Sequence, residues 1–275
     1  MEFIRLKICR ECKPSHSARI KSAKNAVIEN QENLTRALSF ATPEDKTIME
    51  DYVYKNVVKK PEHMGGLARM AMVIGSQWQN GRVLTVAFMG GNKTVKERIQ
   101  EHAKTWMDHA NIELDFATTT RKKPADIRIA FDKNDGSWSY VGTENTVIPT
   151  NEATMNYGWL EAKTPDEEYH RTVLHEFGHA LGCIHEHANP NGTIPWDKPK
   201  AYKFYEEQGW SKEEVDAQVF AKYDRDLIRG SKIDKQSIMM YPIPNSITVG
   251  NFEVEWNNQL STGDKKFIGK MYPKK

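Results

Sequence analysis

Cysteine is scarce in this chain of 275 residues. Only Cys9, Cys12 and Cys183 occur, and so small and odd a number argues against a disulfide framework. Cys9 and Cys12 have the spacing of half a zinc knuckle, but a closed structural zinc site needs two more ligands, and the sequence has no second pair of this kind. We therefore expect Cys9 and Cys12 to be ordinary thiols without a metal role.

The chain also lacks a strong net charge and any long apolar run. Its formal net charge is +2 and 28% of its residues are charged, which is typical of a soluble globular protein. No apolar run approaches the roughly 20 residues that span a bilayer, and charges interrupt the first ten residues, unlike a signal peptide. We expect a monomer that binds neither nucleic acid nor membrane, and that stays in the cytosol or leaves it by a route that the sequence does not show.

The pattern of the chain changes near residue 75. Residues 17–39 and 43–59 are rich in Ala, Lys, Glu and Leu and nearly free of Gly and Pro, which predicts two helices. A Gly-Gly pair at 65–66 then indicates a boundary. We divide the chain into an N-terminal helical extension of unknown role, residues 1–75, and a larger domain, residues 76–275.

The larger domain mixes two kinds of periodicity. Alternating polar and apolar residues predict strands, and apolar residues at spacings of three and four predict helices. The strands are expected over 82–89, 112–116 and 126–131, and the helices over 93–110, 165–181, 197–208, 211–221 and 261–271. This order predicts an α/β fold in which a mixed sheet is backed by helices.

The helix expected over 165–181 carries the residues that suggest chemistry. Thr164 has the side chain of an N-cap for this helix. His175 and His179 are four residues apart, which places both imidazoles on one helix face, and two neutral imidazoles so placed can hold one zinc ion. Glu176 lies beside that metal, where a general base for a zinc-activated water belongs.

His185 is the expected third ligand. Gly182 can adopt a positive φ and end the helix, so that the chain turns back and presents His185 to the metal. Three protein ligands leave one position open, as in catalytic rather than structural zinc sites. Two alternatives stay open at this point: a zinc-holding protein that binds peptides without cutting them, and a structural protein in which the histidines are incidental.

The chemistry-bearing residues resemble those of a known family. Residues 175–185 match the HExxHxxGxxH signature of metzincin metallopeptidases, and residues 237–241, Ser-Ile-Met-Met-Tyr, resemble the methionine-containing turn of that family. Glu186, directly after the third histidine, is similar to the astacin branch. The resemblance covers roughly residues 76–275 and implies a zinc metalloendopeptidase with one zinc per chain and peptide or protein substrates.

The resemblance also implies roles for further residues. Met239 would form an apolar floor beneath the metal, and Tyr241 would be a displaceable fifth zinc ligand that stabilises the oxyanion. Residues 125–131 and 136–142 resemble the segment with the edge strand above the cleft, where an extended substrate could pair. Residues 260–273 resemble the closing helix. A largely parallel sheet and two long helices are expected above the cleft, and little sheet after His185.

The chain departs from the family in several places. Animal astacins carry disulfides, which this chain cannot form across the domain, and Cys183 stands where astacins usually have an aromatic residue. His187 could compete for the metal, although a place behind the ligands or on the surface is the expectation. In mature astacins a new N-terminus lies near the equivalent of Glu186, and here that glutamate could pair internally instead.

The role of residues 1–75 is left open between three alternatives. A propeptide is one, although the astacin motif that places an aspartate on zinc is absent. Cys9 or Cys12 could take the part that a cysteine plays in matrixin propeptides, but the surrounding matrixin motif is absent too. A substrate-positioning or partner-binding extension fits equally well.

Overall fold

The structure is a computed structural model. It describes residues 7–15, 72–73, 76–116, 124–223, 228–229 and 232–274, together with residues 18, 21–22, 25–26 and 29, all helical. The helix expected over 17–39 is therefore confirmed only at those positions, and the one expected over 43–59 lies outside the described residues. None of the described helices is long and apolar enough to cross a membrane.

A mixed sheet forms the upper half of the domain. Among the described residues its six strands are β1 (Arg10–Glu11), β3 (Val83–Phe88), β4 (Glu113–Asp115), β5 (Ile127–Ala130), β6 (Ser137–Ser139) and β7 (Met155–Tyr157), in the order β1-β6-β7-β5-β3-β4. β3 pairs in parallel with β4 and β5, and β5 with β7, whereas β6 runs antiparallel to β7. The predicted mixed, largely parallel sheet is confirmed.

Two helices pack with this sheet around one apolar core. Helix α1 (Lys93–Ala103) begins at Asn92, whose side chain accepts a hydrogen bond from the Thr94 amide, and α2 (Asp166–Ala180) is buried over most of its length. Their shared core includes Ile99, Trp106, Val173 and Phe177. Because so much of α2 is enclosed, the polar side chains on it are held in fixed positions.

The chain after residue 185 builds a second core with little sheet. This part of the chain contains α3 (Lys198–Glu206), α4 (Lys212–Val215) and the short strand β8 (Ile228–Arg229), which pairs with β2 (Met72–Val73). It also contains α5 (Thr262–Met271), whose buried residues Phe267, Ile268 and Met271 pack in the first core. Its apolar cluster includes Ile194, Tyr205, Val219, Met240 and Ile243. The predicted division into a sheet-containing part and an irregular, helical part is thus present in the described residues.

Some element ends differ from the predictions. The helix expected over 93–110 is α-helical only to Ala103 and continues as a 3-10 helix, Lys104–Asp108, and the one expected over 211–221 becomes a π-helix at Asp216–Phe220. The N-cap prediction for Thr164 is wrong. Its hydroxyl accepts from the Glu161 amide at 2.9 Å, so it stabilises the preceding turn, and Pro165 occupies the N-cap position instead.

The C-terminal end of α2 is held by residues from both ends of the domain. The Trp78 indole donates to the Ala180 carbonyl at 2.8 Å, and the Tyr272 hydroxyl donates to the Leu181 carbonyl at 2.8 Å. The Trp78 amide donates in turn to that hydroxyl at 3.1 Å. The last carbonyls of a helix lack partners within the helix, so these bonds fix the point where α2 ends.

Candidate metal centre

Two imidazoles on helix α2 point toward the same position. His175 and His179 are both buried, and the Nδ1 of each lies 2.8–2.9 Å from a main-chain carbonyl, that of Ile238 and that of Cys183 respectively. A carbonyl oxygen can only accept, so each Nδ1 carries the proton and donates it. Each Nε2 is thereby left as a lone-pair donor for a metal, the usual arrangement of ligating histidines.

The turn after α2 brings in the third imidazole. Gly182 has φ +102°, and its amide donates to the His179 carbonyl at 2.8 Å, so the helix ends there in the way that the sequence predicted. The Nε2 of His185 then lies 3.1 Å from that of His179 and 3.0 Å from that of His175. The structure therefore brings together all three histidines predicted as ligands.

The donor set fits zinc. Two ligand atoms bound at 2.0–2.1 Å to a tetrahedral zinc are roughly 3.3 Å apart, close to the separations here. Burial lowers the pKa of His175 and of His185 well below the ordinary value, with a further lowering from neighbouring histidines, so the rings are neutral. Three buried imidazole nitrogens that converge in this way could hold a metal ion, and no other group of three such ligands occurs in the described part of the chain.

Glu176 lies next to this centre and is fully buried. Burial raises the pKa of its carboxyl to about 8, and the Cys9 thiol and Arg171 offset part of the rise. Within the described residues neither carboxylate oxygen has a hydrogen bond of normal geometry. A buried carboxyl with so few hydrogen bonds is costly to ionise.

The methionine turn closes the centre from below. Asp264 in α5 accepts hydrogen bonds from the Ser237 hydroxyl at 2.7 Å and from the Ile238 amide at 2.8 Å, which fixes the turn. Met239 is fully buried, and its sulfur lies so close to Gly178 of α2 that a side chain at that glycine would collide with it. The glycine in α2 is therefore what allows Met239 to pack against this helix.

Tyr241 lies beside the histidines. Its ring centre is 4.3 Å from that of His185 and 4.3 Å from that of His187, and the side chain is buried. Its hydroxyl donates a hydrogen bond to the main-chain carbonyl of Cys9. The phenol is thus aimed at a peptide carbonyl above the metal centre.

The two residues after the ligand triad are both buried. Glu186 accepts from the Asp234 amide at 3.0 Å and from the Asn189 side chain at 3.2 Å, so it pairs internally, and burial raises its pKa to about 7. His187 is buried rather than on the surface, and its Nε2 donates to the Gln218 carbonyl at 2.7 Å. His187 lies outside the group of three ligand atoms.

A segment whose role the sequence left open lies across the centre. β1 pairs in parallel with β6, and the Cys12 amide donates to the Ser139 carbonyl at 3.4 Å. Cys9 is 2% exposed and its thiol lies against the Glu176 carboxyl. It was expected to be an ordinary thiol, with a part like that of the matrixin propeptide cysteine as the alternative. Its position upstream of the domain was the sequence signal for that alternative, because no recognisable motif surrounds it.

The chain resembles known proteins over most of its length. The family model described as Astacin, a family of peptidases, matches residues 72–272. A solved structure of myroilysin is 43% identical and covers 74% of this chain and 99% of its own, with a TM-score of 0.72. A crystal structure of myroilysin is 42% identical, with coverages of 72% and 86% and a TM-score of 0.56.

A more distant solved structure is high choriolytic enzyme 1, a hatching enzyme zinc-protease from the medaka fish Oryzias latipes. It is 13% identical and covers 79% of this chain and 100% of its own, with a TM-score of 0.47. No curated protein sequence gives a significant match to the chain.

Proposed function

The chain belongs to the astacin family and is a zinc metalloendopeptidase, and we propose that His175, His179 and His185 hold its zinc while Glu176 is the general base. The observation that carries this assignment is the convergence of three buried Nε2 atoms beside a buried carboxyl whose oxygens have no hydrogen bond of normal geometry in the described residues. One zinc per chain follows from one such centre in the described residues. The monomeric state stays a prediction.

The chemistry that zinc supplies when bound is polarisation of the scissile carbonyl and a lowered pKa for the attacking water. Glu176 takes the proton from that water and delivers it to the leaving amine nitrogen. A base that also returns the proton works best when its pKa is near the working pH, and burial moves the pKa of Glu176 in that direction, to about 8.

Tyr241 is proposed to stabilise the carbonyl oxygen as negative charge develops on it. Its hydroxyl donates to the Cys9 carbonyl in the structure, and a substrate carbonyl in the same place would receive the same hydrogen bond. Donors that are already oriented toward such an oxygen are a large source of rate enhancement. Met239, packed against Gly178, keeps the floor of the site apolar and fixed.

The first experiment is cleavage of an unstructured protein such as casein by the full-length chain, with zinc content measured on the same sample. We expect one zinc per chain and cleavage that a zinc chelator stops and added zinc restores. A chain that purifies without metal and does not take it up would contradict the ligand assignment. A chain that holds one zinc and does not cut would point to the segment that covers the site.

We also infer that residues 7–13 hold the full-length chain in a latent state. Cys9 contacts both side chains that are proposed to react. Its carbonyl accepts a hydrogen bond from the Tyr241 hydroxyl, and its thiol lies against the Glu176 carboxyl. The chain after Cys9 is held as well, by an ion pair of 3.0 Å between the Arg10 and Asp135 side chains and by the hydrogen bond of the Cys12 amide to β6. A substrate cannot enter while this segment is in place.

The latency proposal predicts different results for the two N-terminal cysteines. Cys9→Ala removes a buried thiol, a loss on the order of 1 kcal/mol from the closed state, so we expect basal cleavage of a peptide to rise about fivefold. Cys12→Ala, at a partly exposed position, is the matched control and should leave basal cleavage unchanged. Equal rates for wild type and Cys9→Ala would contradict a role for the thiol.

A further inference from the structure

A buried arginine lies one helical turn before the first ligand. Arg171 and His175 are four residues apart on α2, so they share a helix face, and both line a small cavity with Cys9, Tyr241 and Trp256. Arg171 is only 7% exposed. A buried charge is costly unless it is paired, and nothing in the hydrolysis described above uses this one.

The guanidinium of Arg171 is held in a fixed orientation. Its Nε and Nη2 donate to the two carboxylate oxygens of Glu168 at 2.9 and 2.7 Å, and its centre lies 4.2 Å from the ring centre of Trp256. Glu168 is itself fixed by the Trp159 indole at 2.9 Å. Because the planar guanidinium is held by both Glu168 and Trp256, its remaining N–H donors point in a fixed direction.

One of these donors points into the cleft. Nη2 of Arg171 also donates to the main-chain carbonyl of Lys7 at 3.2 Å. Lys7 precedes Cys9 by two residues, and the Cys9 carbonyl receives the Tyr241 hydroxyl. Two carbonyls of one segment, two residues apart, are therefore bound by two donors, Arg171 and Tyr241. Tyr241 is the donor proposed above to stabilise the scissile carbonyl.

We propose that Arg171 is a substrate-positioning residue, whose guanidinium binds the substrate main-chain carbonyl two residues from the scissile carbonyl. The inference rests on the peptidase function proposed above. A carbonyl is favoured over an acidic side chain because Glu168 already balances the charge of the guanidinium. Arg171 therefore offers a directed N–H rather than a net positive charge.

The test replaces carbonyl oxygens of a singly cleaved peptide, one at a time on both sides of the scissile bond, with sulfur, a poorer hydrogen-bond acceptor. For wild type we expect kcat/KM to fall about tenfold at one position, two residues from the scissile carbonyl, mainly through KM. In Arg171→Lys, which keeps the ion pair with Glu168, this substitution should change kcat/KM by less than about twofold. Each comparison is a ratio of kcat/KM for two peptides on the same enzyme. The fraction of molecules whose cleft is covered by residues 7–13 lowers both values equally and so does not change the ratio.

Arg98→Lys is the matched control. Arg98 makes the same kinds of contact elsewhere, with the Thr164 carbonyl at 2.8 Å, Asp166 at 3.0 Å and the Tyr169 ring at 3.7 Å. In Arg98→Lys, replacing that carbonyl oxygen of the peptide with sulfur should still lower kcat/KM about tenfold. The same effect in Arg171→Lys as in wild type would overturn the proposal, and so would a preference for Glu over Gln in the peptide that only Arg171→Lys abolishes.

A second measurement needs no turnover and decides the matter if the full-length chain does not cut. Arg171→Lys should loosen the hold on Lys7, so alkylation of Cys9, followed by peptide mass spectrometry, should accelerate about three- to tenfold. Fully buried Cys183 is the internal reference and Arg98→Lys again the control. An unchanged rate at Cys9 would show that Arg171 contributes nothing to binding a carbonyl.

Discussion

Glu176→Gln is expected to lower kcat for peptide hydrolysis by about 10²–10⁴-fold while the chain still binds one zinc. The amide has the shape of the carboxyl but cannot take a proton from the attacking water. Because burial makes the ionised carboxylate costly, the melting temperature of the variant should not fall below that of wild type. The measurement is kcat at saturating peptide, beside zinc content and a thermal melt.

The control for this substitution is Glu167→Gln. Glu167 is an exposed carboxylate in the first turn of the same helix, and its side chain contacts Asn258. It should change kcat by less than about twofold, as is usual for an exposed position away from the site. A variant at Glu176 that holds zinc and keeps wild-type kcat would sink the general-base assignment and leave the ligand assignment intact.

His185→Ala is expected to weaken zinc binding more than about 100-fold and to reduce hydrolysis to background. Loss of a partner behind a ligand already costs about 10–100-fold in metal affinity, and this substitution removes a ligand. The two imidazoles on α2 remain with their Nδ1 atoms anchored, but two ligands are too few for a catalytic zinc site. Zinc affinity would be measured by competition with a chelator of known affinity.

His187→Gln distinguishes the role of His187 from that of His185, the other histidine that follows the turn. The His187 imidazole is anchored on the Gln218 carbonyl and lies outside the ligand group, so this variant should retain one zinc per chain. If His187→Gln lost zinc and His185→Ala kept it, the third ligand would be misassigned. Wild-type affinity in both variants would mean that the metal is held elsewhere.

The convergence of the three histidines could be predicted because its determinants are local in sequence. The geometry of a helix alone places His175 and His179 on one face, and one glycine, at φ +102°, is enough to return the chain to His185. Asp264 was predictable only in part. The N-terminal cap of the last helix could be expected from the sequence. The hydrogen bond that the Asp264 carboxylate accepts from the Ile238 amide, 26 residues away, could not be expected, because no local sequence pattern indicates it.

The contacts that cover the site could not be predicted for the same reason. Tyr241 and the Cys9 carbonyl are 232 residues apart, and Arg171 and the Lys7 carbonyl are 164 apart. Main-chain carbonyls are common to all residues, so their choice of partner depends on the folded cleft and not on residue type. Burial likewise decides the state of His187, whose pKa falls to about 4, although the side chain alone suggests a surface residue.

The bond from Tyr272 to the end of α2 has a consequence for biosynthesis. A chain is made from its N-terminus onward, so residues 7–13 emerge well before Tyr272. The helix end that carries His179 and the glycine turn is fully supported only when Tyr272 reaches the Leu181 carbonyl. Under the latency proposed above, residues 7–13 are therefore available to cover the site before the end of α2 is fully supported, and the nascent chain is protected from its own activity.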